Sequence, residues 1–153
     1  SAPPFVIISP DQIRAQLFGN AATQGTWLQV WQRVTEQLRA TAEQARQGHI
    51  SGAIYDATNG QRQGRRTVIQ AARAAGFNRL LAVWLDAPIT LCVHRNGQRS
   101  RQVPTEVIET MARQLAGAPP HCEEGFDALY RLQFRGEAIS TTVVSPSLIN
   151  TRR

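Results

Sequence analysis

Lysine is absent from this chain, and its formal positive charge comes entirely from arginine. The 17 arginines outnumber the 11 acidic residues, which gives a net charge of +6 at pH 7. The lack of lysine excludes any chemistry that needs a lysine amine. Arginine forks match phosphate geometry in two-point contacts, so this composition favours a phosphate-bearing partner. A base-composition bias that replaced lysine by arginine explains the even spread of surface charges equally well.

Motifs for metal-dependent and hydrolytic chemistry are also missing. The two cysteines, Cys92 and Cys122, form no CxxC or Cys/His ligand spacing, which favours free, reduced thiols. The three histidines have no partner at metal-ligand spacing, and neither GxSxG nor HExxH occurs in the sequence. These absences argue against a zinc site and against the common hydrolases.

Long apolar runs and a targeting leader are lacking as well. No run approaches the roughly 18 apolar residues of a membrane span, and no basic and apolar leader opens the chain. We therefore expect a soluble, cytoplasmic protein with no membrane partner. A chain of 153 residues fits a single domain, over 1–153, whose core needs no disulfide or metal.

The pattern of apolar residues predicts strands that alternate with helices. Buried strands are predicted at "PFVIIS", "GAIY" and "LLAVWLDAP", and two further strands at "ALYRLQ" and "AISTTVV". Helices are predicted over residues 10–18, 26–47, 61–75 and 89–96, and from 104 onward. This alternation predicts an α/β fold, with a mainly parallel sheet and helices on both faces. Trp27 and Trp31, on the second predicted helix, are expected in the core rather than on a base-stacking surface.

Acidic residues follow three of the predicted strands. Asp11, Asp56 and Asp86 all come just after a strand ends. Ligands of parallel sheets bind beyond the carboxyl ends of the strands. The sequence therefore predicts a ligand site at this edge of the sheet.

Asp11 and Arg14 lie one helical turn apart at the start of the first predicted helix. An ionised carboxylate there can accept a proton from a hydroxyl nucleophile, while the arginine holds a phosphate. The alternative is that Asp11 only stabilises the helix start, as acidic residues commonly do.

Two further polar segments are candidates for phosphate chemistry. Asp56, Thr58 and Asn59 follow a strand, where a carboxylate can hold Mg²⁺, although Asn59 also suits a helix N-cap. The loop "HRNGQRSRQVP" carries several arginines and can close over phosphates. A solvated loop without a function is the other interpretation.

Five segments together resemble the bacteriophage-type polynucleotide kinase branch of the P-loop kinases. They are "VIISPDQIRAQLFG", "IYDATN" followed by "RR", "VWLDAP", "RNGQRSRQVPTEVIETMARQL" and "EEGFDALYRL". The resemblance runs in the family's order from about Val6 to Leu132. It implies a P-loop kinase-like fold, ATP and Mg²⁺ as cofactors, and a nucleotide as partner. A nucleic acid or a phosphorylated small molecule is implied as a further partner.

The resemblance also implies roles for individual residues. Asp11 resembles the general base, Arg14 the contact to the acceptor phosphate, and Asp56 the acid near the metal. Implied substrate contacts are Arg14, Thr58, Asn59, Arg65 and Arg66. The segment 95–103 resembles a lid whose implied contacts to the phosphates of ATP are Arg95, Arg99 and Arg101.

The chain departs from this family in one respect. The family begins with a strand and a GxxxxGK[ST] loop whose lysine holds nucleotide phosphates, and neither that loop nor any lysine occurs here. Since the family's first strand is central in the sheet, its absence should expose apolar edges. A missing segment, "AISTTVV" or a strand from a partner chain could fill the gap.

Three functions remain open from the sequence. The first is an ATP-dependent phosphotransferase that acts on a hydroxyl of a nucleic-acid end or a nucleotide-like acceptor, and is inactive as these residues alone. The second is a degenerate kinase fold that serves as a binding or assembly module. The third is a basic domain that binds nucleic-acid phosphates without catalysis. Whether the chain is itself an enzyme is left undecided.

Overall fold

The computed structural model describes residues 1–20 and 26–144. Their contacts divide into two compact units, and each unit has its own sheet. Among the described residues, unit 1 lies within Ser1–Thr58 and Thr67–Asn78, and unit 2 comprises Asn59–Arg66 and residues 79–144. The single domain over 1–153 stays a prediction.

Unit 1 is built on a parallel pair of strands. Strand β1 (Phe5–Ile8) pairs with strand β2 (Gly52–Tyr55) along its whole length. Helices α1 (Pro10–Phe18) and α2 (Trp27–Arg46) connect the two strands. Helix α3 (Arg62–Ala75) follows them, and its residues from Thr67 onward belong to this unit. These bounds agree closely with the predicted elements, because proline, cap and glycine signals mark most of the helix ends.

The start and the end of α1 follow their local sequence. The Ser9 side chain accepts a hydrogen bond from the Gln12 backbone N–H at 3.3 Å, and Pro10 occupies the first turn. Gly19 ends the helix with φ of 73°, a left-handed conformation that glycine adopts without a steric penalty. Helix α1 is therefore fixed at both ends, which places Asp11 in its first turn.

The core of unit 1 lies along one face of α2. Val30, Val34 and Leu38 are buried at intervals of four residues, and Ile8 of β1 and Ile13 of α1 are buried as well. A spacing of four keeps side chains on the same helix face, so α2 covers one face of the two-stranded sheet with a continuous apolar stripe.

Unit 2 contains a three-stranded sheet in the order β3, β4, β5. Strand β3 (Leu81–Asp86) pairs in parallel with β4 (Ala128–Arg135), and β4 pairs antiparallel with β5 (Ala138–Val144). Helices α4 (Ile89–Gly97) and α5 (Thr105–Gly117) follow β3, and a short 3₁₀ turn covers Cys122–Glu124. The parallel pairs and the intervening helices confirm the predicted α/β class.

Two predictions about the strands are wrong. The strands at "PFVIIS" and "LLAVWLDAP" are not buried on both faces, because Phe5, Ile7, Leu81, Val83 and Leu85 are each 50–61% exposed. Within each sheet, the described elements of its own unit leave these side chains uncovered. Strand β5, formed by "AISTTVV", does not fill a gap beside β3, since it pairs along β4 on the opposite side.

Two expected features hold among the described residues. Cys92 and Cys122 are free thiols, as their spacing predicted. None of the described helices combines the length and the apolar character needed to cross a membrane.

Candidate functional site

Asp11 and Arg14 form an ion pair directly after β1. The Arg14 guanidinium donates to Oδ1 of Asp11 at 2.8 Å, and the Asp11 side chain is 58% exposed. An exposed pair of this kind contributes at most about 1 kcal/mol to stability. The carboxylate therefore remains accessible to a ligand, with a positive charge beside it.

Asp56 lies at the carboxyl end of the neighbouring strand. Its backbone N–H donates to the carbonyl of Ile8 at 2.9 Å, which extends the parallel ladder by one residue beyond β2. Because α1 begins two residues after Ile8, the first turn of α1 and Asp56 lie at the same edge of one sheet. The structure thus brings Asp11, Arg14 and Asp56 to one end of unit 1, as the sequence predicted for Asp11 and Asp56, whereas Asp86 belongs to unit 2.

Tyr55 connects these groups electrostatically. Burial raises the pKa of Tyr55 to about 12, while the positive charge of Arg14 acts in the opposite direction. This effect of Arg14 on the pKa of Tyr55 indicates that its positive charge lies close to the end of β2.

The single carboxylate of Asp56 fits Mg²⁺ in its chemistry. Asp56 and Thr58 are both exposed and offer a carboxylate and a hydroxyl as hard oxygen ligands. Among the described residues, no three His, Cys, Asp or Glu side chains come together as a metal cluster. Mg²⁺ is commonly held by one or two carboxylates with waters and substrate phosphates, so one carboxylate is sufficient.

Asn59 forms a left-handed turn before α3. Its φ is 48°, which is uncommon outside glycine and which asparagine tolerates better than most residues. Helix α3 begins at Arg62, so Asn59 lies before the N-cap position that the sequence suggested for it. Its role in substrate binding stays a prediction.

Arg65 is buried and bonded to three separate segments of unit 2. It donates to Glu124 at 2.7 Å and 3.0 Å, to the Asn59 carbonyl at 3.0 Å and to the Ala118 carbonyl at 2.8 Å. The side chains of Arg65 and Glu124 are only 3% and 5% exposed. We call this arrangement the Arg65 clamp; it joins the Asn59 turn, the end of α5 and the 3₁₀ turn.

The Arg65 clamp distinguishes the two arginines of α3 that the sequence predicted as substrate contacts, Arg65 and Arg66. Because most of the Arg65 donors are already used inside unit 2, the geometry favours a structural task for Arg65. Arg66 is exposed on the next position of α3 and is accessible to a ligand.

The Glu124 carboxylate is held in its charged form. Burial by itself would raise the pKa of Glu124. The hydrogen bonds from Arg65 and the His121 backbone, with the charges of Arg65 and Arg62, outweigh this effect and lower the pKa below 4.5. Glu124 is therefore ionised at neutral pH and balances the buried Arg65.

The lid-like segment 95–103 is closed at its base by Asn96. The buried Asn96 side chain donates to the Val103 carbonyl at 2.9 Å and accepts from the Val103 N–H at 3.0 Å. The residues between them are exposed, including Arg99 and Arg101. Arg95 differs, because its guanidinium lies 5.3 Å from the ring centroid of Phe134.

Asp86 is engaged within unit 2. Arg131 of the adjacent strand donates from Nε to its Oδ2 at 2.8 Å, and the same guanidinium lies 4.6 Å from the ring centroid of Trp84. This pairing satisfies one carboxylate that the sequence assigned to the ligand edge. The cluster could not be found from sequence, because it depends on the register that places Trp84 opposite Arg131.

Glu124 was likewise missed as an important residue. It lies 59 positions from Arg65, and only the fold brings the two together. The segment "APPHCEEG" indicates a loop, and the one hint in the sequence is the pair of acids, Glu123 and Glu124, which the structure places in the 3₁₀ turn.

Glu124→Gln should destabilise the protein by about 3–5 kcal/mol at pH 7, because it leaves the Arg65 charge buried without its counter-ion. Urea denaturation measures this difference. Glu123→Gln is the matched control, since the Glu123 side chain is 70% exposed. Equal stability of the two variants would show that the clamp is not an important interaction.

The same substitution predicts a dependence on pH. The folded-state pKa of Glu124 is lowered from 4.5, so its contribution is complete above that value and is lost as pH falls through the lower folded pKa. The stability difference between wild type and Glu124→Gln should therefore shrink in acid. A constant difference down to pH 3 would contradict this assignment.

Asn96→Ala should loosen the lid-like segment, because it leaves both backbone groups of Val103 without their side-chain partner. We expect faster amide hydrogen exchange across 97–103 and a loss of about 1–3 kcal/mol in stability. Gln98→Ala, an exposed neighbour, is the control. Unchanged exchange in Asn96→Ala would mean that another contact closes the segment.

Comparison with known proteins assigns the family. A family model described as an AAA domain matches residues 1–118 of the chain. A search of curated proteins gave no match. The matched region contains β1, α1, α2, β2, α3, β3, α4 and α5, including the candidate residues at the ends of β1 and β2. The chain therefore belongs to the AAA domain family AAA_33, a family of nucleotide-binding proteins in the P-loop kinase-like superfamily.

Proposed function

We propose that this chain is part of an ATP-dependent phosphotransferase of the polynucleotide kinase-like branch. It moves the γ-phosphate of ATP to a hydroxyl of a nucleic-acid end or a small nucleotide-like acceptor. The observation that carries this proposal is the exposed Asp11 beside Arg14, at the same sheet edge as Asp56. A carboxylate, an arginine and a metal-binding acid are the groups that phosphoryl transfer to a hydroxyl needs.

Asp11 is proposed as the general base. Its carboxylate is 58% exposed, so an attacking hydroxyl can reach it and transfer its proton to it. Arg14 pairs with this carboxylate and presents further N–H groups to a phosphate of the acceptor. The pairing at 2.8 Å fixes the carboxylate relative to that phosphate-binding group.

We propose that Mg²⁺ is held by Asp56 and Thr58. The proposed substrate contacts are Asn59, Arg65 and Arg66. The metal would supply positive charge to oxygen atoms of the phosphates. Arg66 is the best placed of the two arginines, since its side chain is exposed. Arg65 would contribute mainly by holding the Asn59 turn.

Arg95, Arg99 and Arg101 are proposed as the nucleotide contacts of the lid-like segment. Three guanidinium groups can neutralise charge on the phosphates that ATP brings. Asn96 closes the base of this segment, so Arg99 and Arg101 are carried on one loop.

The residues of this chain do not by themselves fit the phosphates of ATP. Neither a lysine nor a GxxxxGK[ST] loop occurs in the 153 residues, and P-loop proteins use both for these phosphates. We therefore expect no transfer by these residues alone. A further segment or a partner chain that supplies the loop and pairs with an open strand is part of the proposal. Two observations support it: β3 is an edge strand of its sheet in the described part of the chain, and one of its faces has exposed apolar side chains.

The second candidate is a degenerate kinase fold that acts as a binding or assembly module. The lack of lysine within these 153 residues favours it, because P-loop proteins use a lysine to hold the nucleotide phosphates. Calorimetry with Mg²⁺ and ATP, on protein expressed from its native reading frame, separates the two. Binding followed by transfer supports the phosphotransferase, and absence of both supports the module.

Asp11→Asn should reduce phosphate transfer by a factor of about 10² or more, because the amide cannot accept the hydroxyl proton. ATP affinity should change little. The assay follows labelled phosphate from ATP onto a 5′-hydroxyl oligonucleotide or a nucleoside, with protein from the native reading frame. Glu36→Gln, an exposed acid of the same unit, is the control. Undiminished transfer in Asp11→Asn would remove this residue from the mechanism.

Arg99→Ala combined with Arg101→Ala should weaken nucleotide binding or lower the transfer rate by about tenfold or more, since two phosphate contacts are lost. Titration of a fluorescent ATP analogue and the transfer assay distinguish the two effects. Arg113→Ala combined with Arg135→Ala, two other exposed arginines of unit 2, controls for the loss of two positive charges. Full activity and affinity in the double variant would contradict the lid assignment.

A further inference from the structure

Trp27 and Trp31 form an exposed aromatic surface at the start of α2, which we call the tryptophan ledge. Their ring centroids are 6.0 Å apart and their planes differ by 25°, so the two indoles are stacked. Trp27 is 51% exposed, whereas Trp31 is only partly exposed. The expectation that both rings belong to the core is therefore wrong for Trp27.

Arg14 joins this ledge to the candidate base. Its guanidinium carbon lies 5.5 Å from the Trp27 ring centroid, while the same group donates to Asp11 at 2.8 Å. A cation over an indole face is an attractive contact. An aromatic face, a guanidinium and an exposed carboxylate are thus contiguous within unit 1.

We propose that the tryptophan ledge stacks an unpaired nucleobase of the acceptor while Arg14 binds a neighbouring phosphate. The statement that the bound chain is the phosphate acceptor rests on the proposed function, whereas base binding by the ledge does not. Indole rings stack on any base, since every base has a π face. The guanidinium beside the ring supplies the two-point contact that a phosphate oxygen pair needs. The ligand class is a single-stranded nucleotide chain rather than a duplex, whose bases are already stacked.

An apolar protein surface fits the tryptophan ledge less well than a nucleotide does. Arg14 and Asp11 lie beside Trp27, and an apolar protein surface that covered the ring would also desolvate this charged pair. A nucleotide instead places its base on the indole and its charge on the arginine. Charge complementarity therefore favours the nucleotide.

The test is equilibrium binding of a labelled hexathymidylate to the 153-residue chain, without ATP. An abasic phosphodiester of equal length and charge is the comparison. Wild type should bind the thymidylate more tightly than the abasic chain. Trp27→Ala should weaken thymidylate binding by about tenfold or more and leave abasic binding unchanged. Trp27→Phe should recover most of the affinity, and Leu28→Ala, which removes a 65% exposed apolar neighbour, should have no effect.

Three results would overturn the ledge as a base-binding site. They are equal wild-type affinity for the two ligands, an equal loss for Trp27→Ala and Leu28→Ala, and self-association of wild type that Trp27→Ala abolishes. None of these bears on Asp11. Conversely, base-dependent binding with no phosphate transfer by protein from the native reading frame would reject the kinase and keep the ledge, so the two failures are distinguishable.

Discussion

The buried ion pair of Arg65 and Glu124 is the constraint on which the loop structure of unit 2 depends. Three segments with no regular hydrogen-bond ladder between them meet at this one guanidinium. An arginine suits this position because its planar fork can donate in several directions at once. A buried charge is tolerated here only because the carboxylate of Glu124 and the backbone carbonyls of Asn59, Ala118 and Pro119 accept its hydrogen bonds. Loss of the Glu124 carboxylate would leave the positive charge of Arg65 buried without a counter-ion.

The candidate site in unit 1 depends on a different constraint, the parallel pairing of β1 with β2. Parallel strands deliver their carboxyl ends to one edge, and whatever follows each strand is brought together there. Asp11 follows β1 through the first turn of α1, and Asp56 follows β2 directly. Helix geometry then brings the side chains of Asp11 and Arg14 together, since residues three positions apart lie on the same face of α1.

Apolar exposure on the strands links the fold to the proposed function. Parallel sheets are normally covered on both faces, yet Leu81, Val83 and Leu85 of β3 are largely exposed. The same chain lacks the lysine and the glycine-rich loop that P-loop proteins use for nucleotide phosphates. A further segment or a partner that covers this face and carries the loop would account for both observations, which is why the proposal includes one.

The sequence by itself determined the fold class, most element bounds and the acidic residues at the strand ends. These follow from local signals: apolar periodicity, the Ser9 cap, prolines and glycines. Only the tertiary structure decided that Arg65 pairs with Glu124, that Asp86 pairs with Arg131 and that Trp27 is exposed. Such pairings join residues far apart in the chain, so they depend on strand order and register. Helical spacing shows which residues share a face, but whether that face is covered is settled by the packing of the other elements.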